Sequence, residues 1–279
     1  MEEEIHNLLI INQIEIEKTI QFSMFNTYYL PQHKLYLHLI TIQKFQESTL
    51  PKDYFQKLSD NINAQSERII HLWEDVWLNQ KDLVQSRILA MIGIFKRINA
   101  RHCIVERIDK KISHKFLIMN HLQGSVKAKF KYGLFLKTQY SEKYLGINSE
   151  EKQLIAVATF SGGRLMKYGK RMGERSYELI RFASLRGYSV MGGIDKLLKA
   201  FTKEHDSDDI MTYADRDWSD GRSYEILGFE RIENTEPQTF LLDNQNFKRS
   251  HTKENPESNT KIFNTGNIKF IKKVKYHHK

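Results

Sequence analysis

Between Tyr177 and Phe229 the apolar positions change period four times, and the changes predict strand, glycine turn, helix, strand, helix. Tyr177-Glu178-Leu179-Ile180-Arg181-Phe182-Ala183 alternates as a strand does. Val190-Met191-Gly192-Gly193 then opens a helix whose Ile194, Leu197, Leu198 and Phe201 recur at i, i+3, i+4, i+7. Ile210 to Asp215 reads as a second strand. Gly221 to Phe229 reads as a short helix stopped by Gly228.

The same reading extends outward from this stretch. His102 to Asp109 predicts a strand, and Ser113 to His121 a helix with Ser113 as its N-cap. Lys129 to Lys137 and Gln153 to Phe160 predict two more strands; Gly162-Gly163 breaks the run before a basic loop, Arg164 to Arg175. Glu230 to Asn234 and Thr239 to Asp243 are expected to close the sheet. Nearer the start, residues 1–30 are irregularly helical, Lys34 to Ile42 and Glu67 to Trp77 read as strands, and Lys81 to Ile92 as a helix stopped at Gly93. The fold class expected is α/β, with a mixed central sheet flanked by helices. The division expected is a smaller α/β region over 1–99, the main domain over 100–245, and a basic, flexible tail over 246–279.

Composition narrows the function. At 279 residues, 40% hydrophobic and 28% charged, the chain can bury a sizeable core. No apolar run of membrane-spanning length occurs, so no membrane partner is expected. The acidic start, Met1-Glu2-Glu3-Glu4, is unlike a secretory leader, and the expected location is cytoplasmic. The single Cys103 excludes an internal disulfide and a multi-cysteine zinc site, and no histidine pair has ligand spacing, so no metal is expected. A net charge of +9 favours an acidic partner, DNA or RNA, or an anionic cofactor. Lys269, Lys272, Lys273, Lys275 and Lys279 carry much of the excess near the C-terminus.

Candidate chemistry gathers on the central pattern. Val190, Gly192 and Gly193 are placed where backbone N–H groups can meet a phosphate, with Lys196 one turn on; a plain strand-to-helix turn would also use these glycines. Tyr224 is a candidate general acid, against a packed aromatic on a short helix. Asp215, at a strand end, and Glu178 are candidate bases; Asp217 is weaker, and both aspartates also suit local capping. His121 in Asn120-His121-Leu122-Gln123-Gly124 is a further acceptor-site candidate, although a lone histidine is more often structural. Arg164, Lys167, Lys170, Arg171 and Arg175, interleaved with Tyr168 and Tyr177, suit nucleic-acid phosphates and unpaired bases, or a solvated hairpin, while Arg181, on an otherwise apolar strand, suits a nucleic-acid phosphate or an edge facing solvent.

The order of elements from 102 to 243 resembles the GNAT N-acyltransferase fold. The resemblance implies a fourth strand splayed from the fifth, with the pantetheine of acetyl-CoA or another acyl-CoA in the gap. It implies a pyrophosphate on the glycine turn, here Ser189-Val190-Met191-Gly192-Gly193-Ile194. The family pattern, Gln/Arg-x-x-Gly-x-Gly/Ala, is met at Gly192 and departed from at Ser189 and Ile194. Tyr224-x-x-x-Gly228-Phe229 resembles the ending in which a tyrosine protonates the departing thiolate. Arg181, Tyr213-Ala214-Asp215 and Tyr224 together are similar to phage Mom-type proteins, GNAT relatives that modify DNA bases. Trp73-Glu74-Asp75-x-Trp77, Ala100-Arg101-x-Cys103, Asn120-His121-Leu122-Gln123-Gly124 and Trp218-Ser219-x-Gly221 are similar to the C-terminal part of phage homing-endonuclease-like proteins. The function expected is acyl transfer to an amine, one class of which is the nucleic-acid base. The alternative is a nucleic-acid-binding module without catalysis. A nuclease is the weakest reading, since residues 34–66 show no Asp…Glu-x-Lys series.

Overall fold

The computed structural model describes residues 1–19, 24–168, 171–250 and 259–274. The chain begins α1 (Glu2–Ile11), β1 (Glu17–Thr19), β2 (Asn26–Leu30), β3 (Leu35–Ile40), α2 (Ile42–Glu47), α3 (Tyr54–Ala64), β4 (Arg68–Trp73) and α4 (Glu74–Met91). It continues β5 (Lys96–Asn99), β6 (Cys103–Arg107), α5 (Lys110–Asn120), β7 (Phe130–Leu136), α6 (Ser141–Leu145), β8 (Gln153–Phe160), β9 (Arg164–Leu165) and β10 (Arg175–Ser184). Then come β11 (Tyr188–Met191), α7 (Gly193–Glu204), β12 (Asp209–Asp215), α8 (Arg222–Ile226), β13 (Glu230–Asn234), β14 (Thr239–Asp243), β15 (Arg249–Ser250), β16 (Asn259–Phe263) and β17 (Asn267–Lys273).

Two compact units share these elements. The first comprises Met1–Gln85, Tyr213–Glu225 and Arg231–Lys269; the second comprises Ser86–Thr212, Ile226–Glu230 and Phe270–Lys279. The chain leaves the first unit within α4, after Gln85, and re-enters it within β12, at Tyr213. That exchange depends on long-range pairing, which no compositional shift marks.

In the first unit β1-β2-β3-β4 form one sheet, with β2 antiparallel and β4 parallel to β3. Phe25, Phe45, Phe55 and Trp73 pack with Leu242, Ile262 and Phe263 into its core. β14 joins β15 and β16 in a separate three-stranded sheet.

The mixed central sheet has the order β13-β17-β12-β10-β8-β7-β6, with β9 beside β10. In the second unit, α5 and α7 cover its opposite faces. Strand alternation explains this: Val157 points with Ala183 toward Phe116 and Leu117 of α5. Phe160, three residues from Val157, stacks on Phe201 of α7 at 3.9 Å, and Tyr177 meets the same ring edge-on at 5.1 Å.

Several expectations change. The strand expected over Glu67 to Trp77 stops at Trp73, because Glu74 starts α4 and accepts the Ile42 N–H at 2.9 Å. Asp109, not Ser113, caps α5, its carboxylate accepting from the Ile112 N–H at 2.7 Å; Ser113 is buried. The expected closing strand, β14, lies outside the central sheet, and β17 takes the place between β12 and β13. The described part of the expected flexible tail is therefore largely strand. Its Asn267–Lys273 alternation buries Ile268 and Phe270. Lys269 pairs with Glu233, Lys272 donates to the Leu227 carbonyl and Lys273 pairs with Glu174, so these three charges are engaged locally. Lys275 and Lys279 lie outside the described residues.

Candidate functional site

The site in the second unit starts at a ladder that stops early. β10 and β12 pair in parallel from Ser176↔Asp209 to Leu179↔Thr212. At that last rung the Thr212 hydroxyl donates to the Leu179 carbonyl at 3.0 Å. β10 continues to Ser184, paired on its other side with β8 down to Ser184↔Ala156. Among the described pairings, Arg181 to Ser184 have β8 alone as a strand partner. The splay that the resemblance implies is thus written in the register.

A bulge sits where the ladder stops. Leu179 pairs with Phe160 and Arg181 with Thr159, so Ile180 is one residue more than β8 can match. The extra residue switches the phase of the strand. Before it, Tyr177 packs on α7; after it, Ala183 packs on α5. Glu178 and Arg181 are thereby brought to the α5 side together, which regular alternation would forbid.

On that side the electrostatics are specific. Burial pushes the Glu178 carboxyl above its ordinary range, with Arg181 pulling the other way. Arg181 folds back so that its Nη1 donates to the Ile180 carbonyl at 2.9 Å. His121, the residue that ends α5, is pushed down to about 3 by burial first, then by Arg181 and Arg87. Its Nδ1 accepts the Gln123 N–H at 3.1 Å, so the neutral ring carries its proton on Nε2. His121 is therefore a hydrogen-bond donor, while Glu178 is the group able to take a proton. Of the predicted residues, Glu178, Arg181 and His121 share one electrostatic neighbourhood.

The glycine turn is narrower than its sequence suggests. β11 is laddered in parallel on β5, from Tyr188↔Lys96 to Met191↔Asn99. Val190 is buried, so its side chain is core. Gly192 has φ 74°, the left-handed region glycine favours, and caps α7 without a side-chain hydrogen bond. A Cβ at Gly193 would sit 3.0 Å from Val190, so a larger residue would crowd the corner. The first-turn amides after Gly192 are what the turn can offer an anion. Lys196 is not aimed at it: its Nζ donates to the carbonyls of Ala100 at 2.9 Å and Cys103 at 2.6 Å.

The basic residues also separate. Arg164 and Lys167 are exposed on the hairpin joining β9 to β10, with Tyr168 85% exposed beside them. Arg171 instead pairs with Glu174 and with buried Asp209, which also accepts from the Ser176 hydroxyl at 2.6 Å. Lys170 lies outside the described residues.

Asp215 and Tyr224 belong to the first unit. Asp215 accepts the Asp217 N–H at 3.0 Å, and half-exposed Tyr224 sits on the five-residue α8. Asp217 is buried and accepts from both the N–H and the hydroxyl of Thr265. Burial, then the charge of Asp215, push its carboxyl up to about 7. Its backbone carbonyl takes the His71 N–H at 3.0 Å. His71 in turn reaches Ser59 Oγ through Nε2 and His38 Nδ1 through Nδ1, both at 2.9 Å. The histidine spacing in the chain could not reveal this: His38 and His71 meet only because β3 and β4 pair in that register.

No protein-family model matches the chain, and no curated protein matches it in sequence. Among solved structures it is similar to the ribosomal-protein-S18-alanine N-acetyltransferase from Escherichia coli, at 9% identity and TM-score 0.36, over 63% of this chain and 96% of that one. It is also similar to a Bacillus subtilis acetyltransferase in complex with CoA, at 11% identity and TM-score 0.36, over 62% and 99% of the two chains. A third, the KacTA-DNA complex, has 15% identity and TM-score 0.32 over 48% and 88%.

Proposed function

We propose that the second unit carries an acyl-CoA-dependent N-acyltransferase site, and that the edge of β10 beyond Leu179 is its donor track. The observation that carries this reading is the early end of the β10–β12 ladder together with the bulge at Ile180. The edge of β10 past its last β12 rung can receive an extended amide chain as an added strand. Pantetheine, with two amides, suits such an edge. The first-turn amides of α7 suit its pyrophosphate. Acyl-CoA, when bound, supplies an acyl group activated as a thioester.

The residues of the chain then do the rest. Glu178 takes the proton that the acceptor amine loses as its nitrogen bonds to the acyl carbon and the carbon–sulfur bond breaks. Its raised pKa suits a base that must collect a proton near neutral pH. His121 Nε2–H and Arg181 hold the acceptor on the α5 side. The departing thiolate takes its proton from water; the sequence candidates Tyr224 and Asp215 belong to the first unit and are given no part in this site. Most of the rate gain comes from positioning two reactants, which contributes about 7–11 kcal/mol in favourable cases.

A thermal-denaturation titration with acetyl-CoA tests the reading. Ligand at a hundred times Kd should add about 2.7 kcal/mol of stability. No rise in Tm at millimolar acetyl-CoA would remove the donor track.

A nucleic-acid base is the acceptor class that the Mom-type resemblance implies, and the exposed Arg164, Lys167 and Tyr168 support it. The same residues serve the reading in which the chain binds nucleic acid without catalysis. A gel-shift series with single-stranded DNA and RNA should show binding that weakens with salt and with Arg164→Ala/Lys167→Ala. Absence of any shift at low salt would exclude a nucleic-acid partner.

A further inference from the structure

A second cluster in the same unit belongs to none of these roles. The β11–β5 ladder delivers Met191 and Asn99 side by side, and a Cβ placed on Gly192 would lie 3.8 Å from that of Ala100. Lys196 ties the carbonyls of Ala100 and Cys103 to the first turn of α7. Arg101 and His102, which lie between those two carbonyls, are thus held beside that turn. The half-exposed His102 ring stacks on Tyr140 at 4.0 Å and 18°. Its orientation is fixed from both nitrogens: Arg101 Nε donates to Nε2 at 3.2 Å, and Nδ1 lies 2.8 Å from the Tyr144 hydroxyl. Lys143 sits over the Tyr144 ring at 5.4 Å, and Arg101, Lys137 and Lys143 are all exposed. Glu142 is the acid of this short segment.

A fixed, half-exposed aromatic pair edged by exposed cations suits a planar base carrying phosphate. We infer that Arg101, His102, Tyr140 and Lys143 bind the adenosine 3′,5′-bisphosphate end of CoA, the ring pair taking the adenine and the two cations the 3′-phosphate. This rests on the reading of the β10 edge as the pantetheine track. It gives the exposed positive charge of this segment a ligand of opposite sign, and it uses Lys196 to position Arg101 and His102 rather than to contact phosphate.

Calorimetric titration of the full chain with CoA and with 3′-dephospho-CoA tests the site. The wild type should prefer CoA by about tenfold, the order expected for charge-assisted contacts to one phosphate. Arg101→Ala/Lys143→Ala should bring that ratio near one, with CoA weakened more than dephospho-CoA, which also loses affinity because Arg101 orients the His102 ring. His102→Ala should weaken both ligands alike. Lys143→Ala alone, at an exposed position, should reduce the ratio without lowering Tm. A wild-type ratio near one, or a ratio unchanged by the double substitution, would overturn this site and leave the pantetheine track standing. Failure of the wild type to bind either ligand would overturn both.

Discussion

At the scale of single residues, groups that look alike in the sequence are set apart by what surrounds them. Glu178 and His121 both read as acceptor-side candidates, yet their surroundings give them opposite jobs. Burial raises the carboxyl, and burial with Arg181 and Arg87 keeps the imidazole neutral. Glu178→Gln should lower kcat/KM about 10²- to 10⁴-fold, the usual worth of a positioned base. Because the base works deprotonated, wild-type activity should fall as pH drops through a pKa above 4.5, the ordinary glutamate value. That limb should vanish in the glutamine variant, and a retained limb in its pH profile would reassign the base. Lys196 shows where residue-level reading fails. Its place one turn after a glycine pair suggests a phosphate ligand, but the carbonyls it serves come from a segment more than ninety residues away. Arg171 fails in the same way, since its partner Asp209 is reached only through the sheet.

At the scale of elements, periodicity made the sequence legible wherever one strand or helix owned its pattern. β6, α5, β7, β8, β10, α7 and β12 lie close to where alternation and the Ile194-Leu197-Leu198-Phe201 face put them. The bulge at Ile180 was not legible, because a bulge is a mismatch between two strands and neither sequence alone contains it. It nonetheless decides which face Glu178 shares with Arg181. β17 was also missed. Its alternation is short, follows turn-like composition and finds its place only through distant neighbours. Conversely, Thr239 to Asp243 is a strand as expected, but local propensity cannot say which sheet it joins, and it joins β15 and β16.

At the scale of the whole molecule, stability should carry the mark of the buried polar network in the first unit. His38 is pushed down to about 3 and His71 falls well below its ordinary value, in both cases chiefly by burial. Unfolding at pH 5–6 therefore lets both rings take up protons, so stability is lost as pH falls below about 6.5. Asp217 acts in the opposite direction: its folded pKa of about 7 lies above the ordinary 3.8, so its contribution is lost as pH rises between those values. The histidines outnumber Asp217, so stability falls toward acid, and Asp217 offsets part of that loss. Asp217→Asn should steepen that slope by about 1.4 kcal/mol per pH unit between pH 5 and 6 in urea-denaturation series, and an unchanged slope would show that Asp217 is ionised in the folded chain. The central claim, that β10 beyond its last β12 rung receives an extended ligand, has a direct test. Amide hydrogen exchange of the full chain should slow on adding acetyl-CoA at Ile180–Ser184 and at Gly192–Asp195. Exchange that stays unchanged at Ile180–Ser184, with acetyl-CoA saturating, would contradict it.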